Sequence, residues 1–389
     1  MAIIVQKYGG SSVATVERIK LIAERIVARR RAGFDLVVVV SAMGDTTNRL
    51  LATAREVVAE PPRRELDMLL SVGERTTTAL LSMAISALGE DAISFTGSQC
   101  GILTTDSHAR ARIMEVRPFR VQDELERGRI VIVAGFQGTS YRREITTLGR
   151  GGSDLTAVAL AAALGADACE IYTDVDGVLT ADPRVVPSAT KIEALSYDEM
   201  DAMARGGAKV LHRDAVAWAR RANVALYSRS TFVPDSEGTL VRMNPPPRPT
   251  PVVAIAGRKD LIVVTSTTDS ARVGAVETLL AEAPTAARFE LGGAVQWVLS
   301  REDLHEAESL SAAIADAGAT WSSPVGSVSV IGSGLGEDRD VYRRVLGAFR
   351  ARGSSVRGTV LTGTVWTAFV APADVDELVL ELHRELIEG

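Results

Sequence analysis

The sequence predicts an α/β protein built on a doubly wound, mainly parallel sheet, followed by a smaller α+β region. Three observations support this prediction. Apolar strand-like runs alternate with amphipathic helices in the first two thirds of the chain, glycine-rich turns follow several of these runs, and a proline-rich stretch at 244–251 precedes a different pattern. Such alternation is typical of parallel sheets, because each parallel pair of strands needs a long crossover connection, usually a helix.

The composition is that of an ordinary globular protein. The chain has 389 residues, of which 46% are hydrophobic and 24% charged, so two or three domains are expected. A net charge of −6 argues against nucleic acid or an anionic membrane as the main partner. Two cysteines and four histidines without ligand-like spacing predict no disulfide framework and no structural metal. With no apolar run near the roughly 20 residues of a membrane span and no signal peptide, a cytoplasmic location is expected.

The first strand is predicted at 2–6, with Lys7 at its carboxyl end. A turn at 9–12, GGSS, then leads into an amphipathic helix. Strand, lysine, glycines and helix in this order are typical of phosphate-binding sites, because glycines let backbone N–H groups approach the anion. It is not a Walker P-loop, since the sequence GxxxxGK[ST] does not occur. The alternative is a lysine that only extends from a strand end into solvent.

The second strand, at 34–40, is nearly all apolar, which suits a sheet covered on both faces. Ser41 and Thr47 follow its carboxyl end, where open α/β sheets bind ligands. The stretch 68–88 reads as a helix or a broken helix, because Glu74 and its two neighbours interrupt the apolar pattern. For Glu74, a simple ion pair with a neighbouring cation is the alternative to a binding role.

Further strands are predicted at 93–95 and 129–136, ahead of the most informative stretch, a glycine-rich loop at 149–152. This loop, GRGG, directly precedes an Ala/Leu/Val helix, and Ser153 is expected to be its N-cap. Glycines and a helix N-terminus favour the binding of an anion, and Arg150 can bind a carboxylate through two parallel hydrogen bonds. The alternative is a plain turn between strand and helix.

Eight short blocks occur in the order in which they are found in the aspartate kinases. They are KYGGSSVA from Lys7, SAMGDTT from Ser41, VGER from Val72, FTGSQCGILT from Phe95, VAGFQG from Val133, TTLGRGGSD from Thr146, EIYTDVDGVLTADPR from Glu170 and GAKVLHRDAV from Gly207. The chain therefore resembles that family over roughly 1–240. The resemblance implies the amino-acid-kinase fold, an αβα sandwich, and the phosphorylation of L-aspartate by ATP with Mg²⁺ to 4-phospho-L-aspartate, the first step of the aspartate-family amino acid pathway.

The resemblance also implies roles for single residues. The catalytic residues would be Lys7, Gly9, Gly10 and Asp154, with Asp154 orienting Lys7 or another cation. Aspartate would contact Ser41, Thr47, Glu74, Arg150, Gly151 and Ser153. In this set Arg150 would take the α-carboxylate and Glu74 the α-ammonium. ATP would contact Lys7, Gly10, Ser11, Thr173, Asp174, Val178, Asp182, Pro183, Arg184 and Lys209. Magnesium would arrive with the nucleotide, and no residue is assigned as a metal ligand.

Beyond the proline-rich stretch, the chain shows two rounds of a strand, helix, strand, strand, helix pattern. The first round has a strand at 252–265, a helix at 273–283, short strands at 287–299 and a helix at 302–317; the second has a strand at 325–332, a helix at 341–352, strands at 356–370 and a helix at 373–386. These resemble the paired ACT modules that follow aspartate kinase domains. The predicted domains are a catalytic domain at 1–243, a linker at 244–251, and modules at 252–324 and 325–389. The pairing of ACT modules between chains implies a homodimer or a higher oligomer.

The effector-binding signature of the ACT modules is altered in this sequence. TTDSARVGAV from Thr267 lacks the turn proline of the family, and APTAARFEL from Ala283 lacks its strand asparagine. A buried amino-acid effector needs hydrogen-bond partners, so relaxed or altered feedback by lysine and threonine is expected. Two other functions stay open: a kinase of another small carboxylate on the same fold, and a non-catalytic ACT-type amino-acid sensor. The joint presence of Lys7, Arg150 and Asp154 argues against the sensor.

Overall fold

The computed structural model describes residues 1–389 except 209, 234, 282, 284, 302, 303, 305 and 306. The chain forms two compact units. The first comprises Met1–Val178, Lys191–Met200 and Lys209–Pro246, and the second comprises Leu179–Thr190, Asp201–Ala208 and Pro247–Gly389. The boundary between Pro246 and Pro247 falls inside the linker predicted at 244–251. Two short stretches that the sequence places in the catalytic domain, 179–190 and 201–208, belong instead to the second unit.

The strands lie where the apolar runs predict them, with several short additions. They are β1 (Ile3–Tyr8), β2 (Asp35–Val40), β3 (Ala92–Phe95), β4 (Ile102–Thr104), β5 (Ile113–Val116), β6 (Ile130–Ala134), β7 (Gln137–Ser140), β8 (Ile145–Thr147), β9 (Ala168–Thr173), β10 (Val178–Leu179), β11 (Lys191–Ile192), β12 (Ala194–Ser196), β13 (Leu226–Ser230), β14 (Thr239–Arg242), β15 (Val252–Thr267), β16 (Thr285–Leu291), β17 (Ala294–Ser300), β18 (Thr320–Gly332), β19 (Gly358–Leu361) and β20 (Val365–Val370).

The helices alternate with these strands. They are α1 (Val16–Arg31), α2 (Thr46–Val57), α3 (Arg63–Leu70), α4 (Val72–Ala87), α5 (Phe119–Glu126), α6 (Gly152–Leu164), α7 (Tyr197–Gly206), α8 (Arg213–Ala222), α9 (Ser270–Leu279), α10 (Ala307–Asp316), α11 (Arg339–Arg352) and α12 (Val375–His383). A 3-10 turn at Pro372–Asp374 precedes α12, and a π-helical turn at Arg384–Glu388 follows it. None of the helices in the described part of the chain is long and apolar enough to cross a membrane.

The first unit is built on an eight-stranded sheet in the order β12-β14-β13-β9-β1-β2-β6-β3. The six strands from β13 to β3 are all parallel to their neighbours, and only β14 runs antiparallel to β13. The valines of β2 and the whole of β6 are buried, as expected for strands covered on both faces. The predicted α/β class with a mainly parallel sheet is confirmed, and the carboxyl ends of β9, β1, β2 and β6 meet at one edge.

A second, four-stranded sheet, in the order β5-β4-β7-β8, was not predicted from the sequence. Its strands are only three or four residues long, so they give no periodic signal of their own. β7 follows β6 after a two-residue turn, and β8 ends at Thr147, directly before the glycine-rich loop. This small sheet therefore carries that loop to the edge where the parallel strands end.

The predicted helix at 68–88 is two helices, α3 and α4, separated at Ser71. The predicted broken helix is confirmed, but the break falls at Ser71, so Gly73 and Glu74 lie in the first turn of α4, where they are buried. Gly73 is required there because a Cβ atom would lie 2.7 Å from Cβ of Ala42. The glycine thus brings α4 against the end of β2 and places Glu74 beside it.

The second unit contains one six-stranded sheet in the order β16-β17-β15-β18-β20-β19. The long strand β15 pairs antiparallel with β17 through its second half and with β18 along most of its length. Each round of the predicted pattern contributes three strands, so β15 and β18 join both rounds into a single sheet. Two apolar clusters, one around Val264 and Trp297 and one around Val330 and Leu378, cover the two parts of the sheet.

Candidate active site

Lys7 and Asp154 form an ion pair at the carboxyl edge of the parallel sheet. Nζ of Lys7 lies 2.7 Å from Oδ1 of Asp154, and the two side chains are only 10% and 13% exposed. Lys7 is the fifth residue of β1, and Asp154 lies in the first turn of α6. A lysine held in this way by a carboxylate has a fixed position and can present its remaining N–H groups to an anion.

The glycines after β1 give this lysine room. A Cβ atom at Gly9 would lie 3.4 Å from Nζ of Lys7, and one at Gly10 would lie 3.0 Å from O of Ala42. The backbone N–H of Gly9 donates to O of Tyr172 in β9, at 3.2 Å, and Gly10 accepts from the N–H of Gly44, at 3.0 Å. The turn is therefore pinned between the ends of β9 and β2. Ser11, which follows it, is exposed.

The hydroxyl residues expected at the end of β2 lie at this same edge. The N–H of Ser41 donates to O of Tyr8 at 3.1 Å, which continues the pairing of β1 with β2. Thr47 is half-buried in the first turn of α2. Thr46, its neighbour, turns its hydroxyl back to O of Met43 at 2.6 Å and so closes the turn. Ser41 and Thr47 are thus carried by rigid elements beside the glycine turn.

Glu74 is a buried carboxylate with one oxygen in use. Its Oε1 accepts from the N–H of Ala42 at 3.1 Å, and the residue is 3% exposed. The other oxygen, Oε2, is buried and has no hydrogen-bond partner among the residues that the structure describes. Burial raises the pKa of Glu74 to about 7, because the charged form has lost its water. A cationic ligand would restore both the charge balance and the missing hydrogen bond.

The glycine-rich loop is a tight turn with two residues in the left-handed region. Gly149 has a φ of 76° and Gly151 a φ of 68°. The N–H of Gly152 donates to O of Gly149 at 3.1 Å, which closes the turn and leaves Arg150 exposed at its tip. A Cβ atom at Gly151 would lie 2.2 Å from Cγ of His212, so glycine is needed there on steric grounds as well.

The prediction that Ser153 caps α6 was wrong. The N-cap is Gly151, which makes no side-chain hydrogen bond, and Ser153 is the second residue of the helix. Its side chain is buried against the end of β6, since a Cβ atom at Gly135 would lie 2.7 Å from Oγ of Ser153. The free N–H groups of this helix end are therefore available to a ligand instead of to a cap.

Sequence reasoning missed Asp67, a fully buried carboxylate on α3. It accepts hydrogen bonds from the hydroxyl of Thr147 at 2.6 Å, from the N–H of Ala109 at 3.1 Å and from Nδ1 of His108 at 2.8 Å. Nothing in the sequence marks this residue, because its partners lie in two other segments of the chain. It ties α3 to the end of β8, directly before the glycine-rich loop.

Three residues predicted to bind the nucleotide lie at the end of β9 or shortly after it, in the first unit. The hydroxyl of Thr173 donates to O of Val175 and accepts from its N–H, both at 3.1 Å, and so shapes the turn. Asp174 is exposed. Val178 is fully buried, and its N–H donates to the hydroxyl of Thr239 at 2.8 Å.

Three further residues predicted to bind the nucleotide belong to the second unit. Asp182, Pro183 and Arg184 are exposed residues of the second unit. There the guanidinium of Arg184 donates to both oxygens of Asp182, at 3.0 and 2.6 Å, and this holds the pKa of Asp182 below its ordinary value. Lys209 lies outside the described residues.

Taken together, the edge of the first unit offers complementary groups. A fixed lysine lies beside two glycines, and a buried carboxylate with an unused oxygen lies on α4, next to the end of the neighbouring strand β2. An exposed arginine stands at the tip of a loop that leads into a helix N-terminus. These groups suit a ligand that carries an ammonium and a carboxylate, next to a phosphoryl group.

The chain is similar to known proteins in both sequence and fold. Residues 2–227 match the family model described as the amino acid kinase family. The chain is 59% identical over 243 residues to an aspartokinase of Mycolicibacterium smegmatis, a match that covers 62% of this chain but only 58% of that protein. It is 40% identical to an aspartokinase of Thermus thermophilus over 412 aligned positions, which cover all of this chain and 99% of the relative.

Solved structures resemble the whole chain. E. coli aspartokinase III in complex with aspartate and ADP, in the R-state, aligns with a TM-score of 0.87 at 25% identity, covering 99% of each chain. The same enzyme in complex with lysine and aspartate, in the T-state, aligns with a TM-score of 0.77 over the same coverage.

Proposed function

The chain belongs to the aspartokinases of the amino acid kinase family, and we propose that it transfers the γ-phosphoryl group of ATP to the side-chain carboxylate of L-aspartate. The observation that carries this proposal is the unused, buried oxygen of Glu74 at the sheet edge that also holds Lys7 and Asp154. A carboxylate at this place suits the α-ammonium of an amino acid, and the fixed lysine suits a phosphoryl group. A relative has been solved in complex with aspartate and ADP, which supports aspartate and ATP as the two substrates.

The reaction needs little covalent chemistry from the protein. One oxygen of the substrate's side-chain carboxylate forms a bond to the γ-phosphorus, while the bond from phosphorus to the β,γ-bridging oxygen breaks and ADP leaves with that electron pair. The attacking carboxylate is already ionised at neutral pH, so no general base is required. Lys7 neutralises charge on the transferring group, and Asp154 holds Lys7 in place. Magnesium enters with ATP as part of the substrate.

The remaining site residues divide between the two substrates. Arg150 takes the α-carboxylate of aspartate, while Ser41, Thr47, Gly151 and Ser153 complete its pocket. Gly9 and Gly10 let the phosphoryl group approach the backbone. Ser11, Thr173, Asp174, Val178, Asp182, Pro183, Arg184 and Lys209 are proposed to contact the nucleotide. These assignments follow the family resemblance, and for the described residues of the first unit they also follow from where those residues lie.

An ATP-dependent assay of aspartyl hydroxamate formation tests the function. Lys7→Ala is expected to lower kcat by about a hundredfold or more, because the charge on the transferring group loses its partner. Lys20→Ala, which removes an exposed lysine of α1, is the matched control and is expected to retain activity. Binding of ATP without any turnover of aspartate would overturn the proposal and would point to another small carboxylate or to an amino-acid sensor.

We also propose that feedback by lysine and threonine is relaxed or altered. E. coli aspartokinase III has been solved with lysine, but this chain lacks the turn proline after Thr267 and the asparagine of the following strands. Asp269 is engaged in capping α9, where it accepts from the N–H of Arg272 at 3.0 Å. Titration with each amino acid, alone and together, is expected to leave activity unchanged at low millimolar concentration, and strong inhibition would contradict this.

The oligomeric state expected from the family is a homodimer. β16 and β19 are the outer strands of the six-stranded sheet in the described part of the second unit, and such edges can pair with another chain. Light scattering during gel filtration is expected to give about twice the chain mass of 41.3 kDa. A mass of one chain at micromolar concentration would contradict the proposal.

A further inference from the structure

Asp67 is placed to control the glycine-rich loop although it is not part of the proposed chemistry. Its side chain is fully buried, and all the donors described for it come from two segments that flank that loop. One is the end of β8, through Thr147, and the other is the turn at 108–109. A buried carboxylate with three donors is a strong, directional anchor, because each hydrogen bond to a charged acceptor is stronger than a neutral one.

The two anchored segments hold the loop from both sides. Thr147 lies two residues before Gly149, and its carbonyl accepts from the N–H of Ala111 at 2.9 Å. Leu148 donates to O of Phe136 at 2.9 Å, which ties the loop to the end of β6. Ala109 lies over the loop, since a Cβ atom at Gly149 would be 3.6 Å from O of Ala109. Arg150 is the next residue after Gly149 along the chain.

Ala109 has an unusual backbone conformation, which shows what the carboxylate does. Its φ is 67°, in the left-handed region that alanine avoids because its Cβ approaches the carbonyl oxygen. Its N–H donates to both oxygens of Asp67, each at 3.1 Å. The hydrogen bonds to Asp67 thus offset the strain of that conformation, which the turn needs in order to pack against Gly149.

We infer that Asp67 is a positioning residue for aspartate binding: it holds Ala109 and Thr147 so that the turn carrying Arg150 keeps its binding geometry. This inference rests on the proposed function, in which Arg150 takes the α-carboxylate. Such a contact is made alike in the ground state and the transition state. Its loss raises KM for aspartate and leaves kcat and the KM for ATP nearly unchanged.

The first test is Asp67→Asn, which keeps the shape but turns one acceptor into a donor. The KM for aspartate is expected to rise about tenfold, while kcat stays within about threefold and the KM for ATP within about twofold. Glu124→Gln is the matched control. Glu124 is also a buried carboxylate, held by Arg127 at 2.7 Å and Arg129 at 2.8 Å, but it lies on α5. It is expected to leave the KM for aspartate unchanged.

A rescue experiment separates positioning from general loss of stability. Glycine adopts the left-handed region without strain. In the double variant Asp67→Asn with Ala109→Gly, the KM for aspartate is therefore expected to return at least halfway to that of the wild type. A residue that only stabilises the fold would give no such rescue.

Several outcomes would overturn the inference. They are an unchanged KM for aspartate in folded Asp67→Asn, equal losses in both substrates, or no rescue by glycine. If Asp67→Asn does not fold, Thr147→Val carries the test, because it removes one donor to Asp67 and is expected to raise the KM for aspartate a few fold. An inactive wild type would refute the proposed function itself, whereas an active wild type with indifferent variants would refute only this inference.

Discussion

Asp67 and Glu74 are two buried carboxylates on consecutive helices, and their surroundings differ in one respect. The surroundings of Asp67 supply donors to both of its oxygens, from Thr147, Ala109 and His108. The surroundings of Glu74 supply one donor, from Ala42, and leave Oε2 without a partner in the described structure. A buried carboxylate whose oxygens all accept hydrogen bonds stabilises the packing of its neighbours. A buried carboxylate with an unpaired oxygen carries a desolvation penalty, which a ligand that donates a hydrogen bond can remove. The comparison therefore separates a positioning role from a binding role.

The largest effect expected from this difference is on substrate affinity. Glu74→Gln removes the charge that faces the α-ammonium of aspartate, so the KM for aspartate is expected to rise on the order of 10- to 100-fold. Hydroxamate kinetics with varied aspartate at saturating ATP would measure it. An effect smaller than that of Asp67→Asn would reverse the roles assigned to the two carboxylates.

Glu74→Gln is also expected to stabilise the ligand-free protein at alkaline pH. Glu74 has a folded pKa of about 7, above its ordinary value of 4.5, so the folded state binds the proton more tightly than the unfolded state. The free energy of unfolding therefore falls as pH rises between these values, by on the order of 3 kcal/mol, and is level above pH 7. Glutamine does not ionise, so Glu74→Gln removes this loss. At pH 8 the free energy of unfolding of the variant is expected to exceed that of the wild type by about 1–3 kcal/mol, reduced by the cost of burying an amide.

Urea unfolding at pH 5 and pH 8 would check this prediction. The wild type is expected to be less stable at pH 8 with respect to this group, and the glutamine variant is expected to show a smaller pH dependence. Asp67→Asn serves as the contrast, because it breaks hydrogen bonds that are already made and should destabilise the protein at both pH values. A glutamine variant as unstable as Asp67→Asn would show that Oε2 of Glu74 has a partner after all.

A smaller effect on stability is expected when one of the hydrogen-bond donors to Asp67 is removed. Thr147→Val keeps the shape of the side chain but removes the hydroxyl that donates to Asp67 at 2.6 Å. The free energy of unfolding is expected to fall by about 1.5–3 kcal/mol, the range for a lost hydrogen bond to a charged group. Urea unfolding would measure it, with Thr76→Val on the exposed face of α4 as the control. Equal stability of both variants would remove the evidence that Asp67 is an anchor.

The smallest effect is expected at Ala109. Ala109→Gly relieves the strain of a positive φ, while glycine adds entropy to the unfolded chain, so the net change is a gain of under about 1 kcal/mol. Thermal unfolding would show it as a slightly raised Tm. A clear loss of stability would mean that the methyl group makes contacts that outweigh its backbone strain.

Much of the fold was predictable because it is encoded locally. The apolar runs of β1, β2 and β6 and the helix between β1 and β2 are periodic features of the sequence, and they were placed within a few residues. The small sheet of β4, β5, β7 and β8 was missed because strands of three or four residues have no period to detect. Ser153 was predicted to cap α6 from its residue type alone, but the N-cap is Gly151, two residues earlier.

The sequence by itself determined the family and the fold class, and it predicted Lys7 and Ser41 at the carboxyl ends of two neighbouring parallel strands. The reason is that parallel strands end at one edge, so residues that follow them must meet there. Only the tertiary structure decided which carboxylate is satisfied. The donors to Asp67 lie 41, 42 and 80 residues away along the chain, and the donor to Glu74 lies 32 residues away. Hydrogen bonds over such separations depend on how the elements pack, and no local pattern records them.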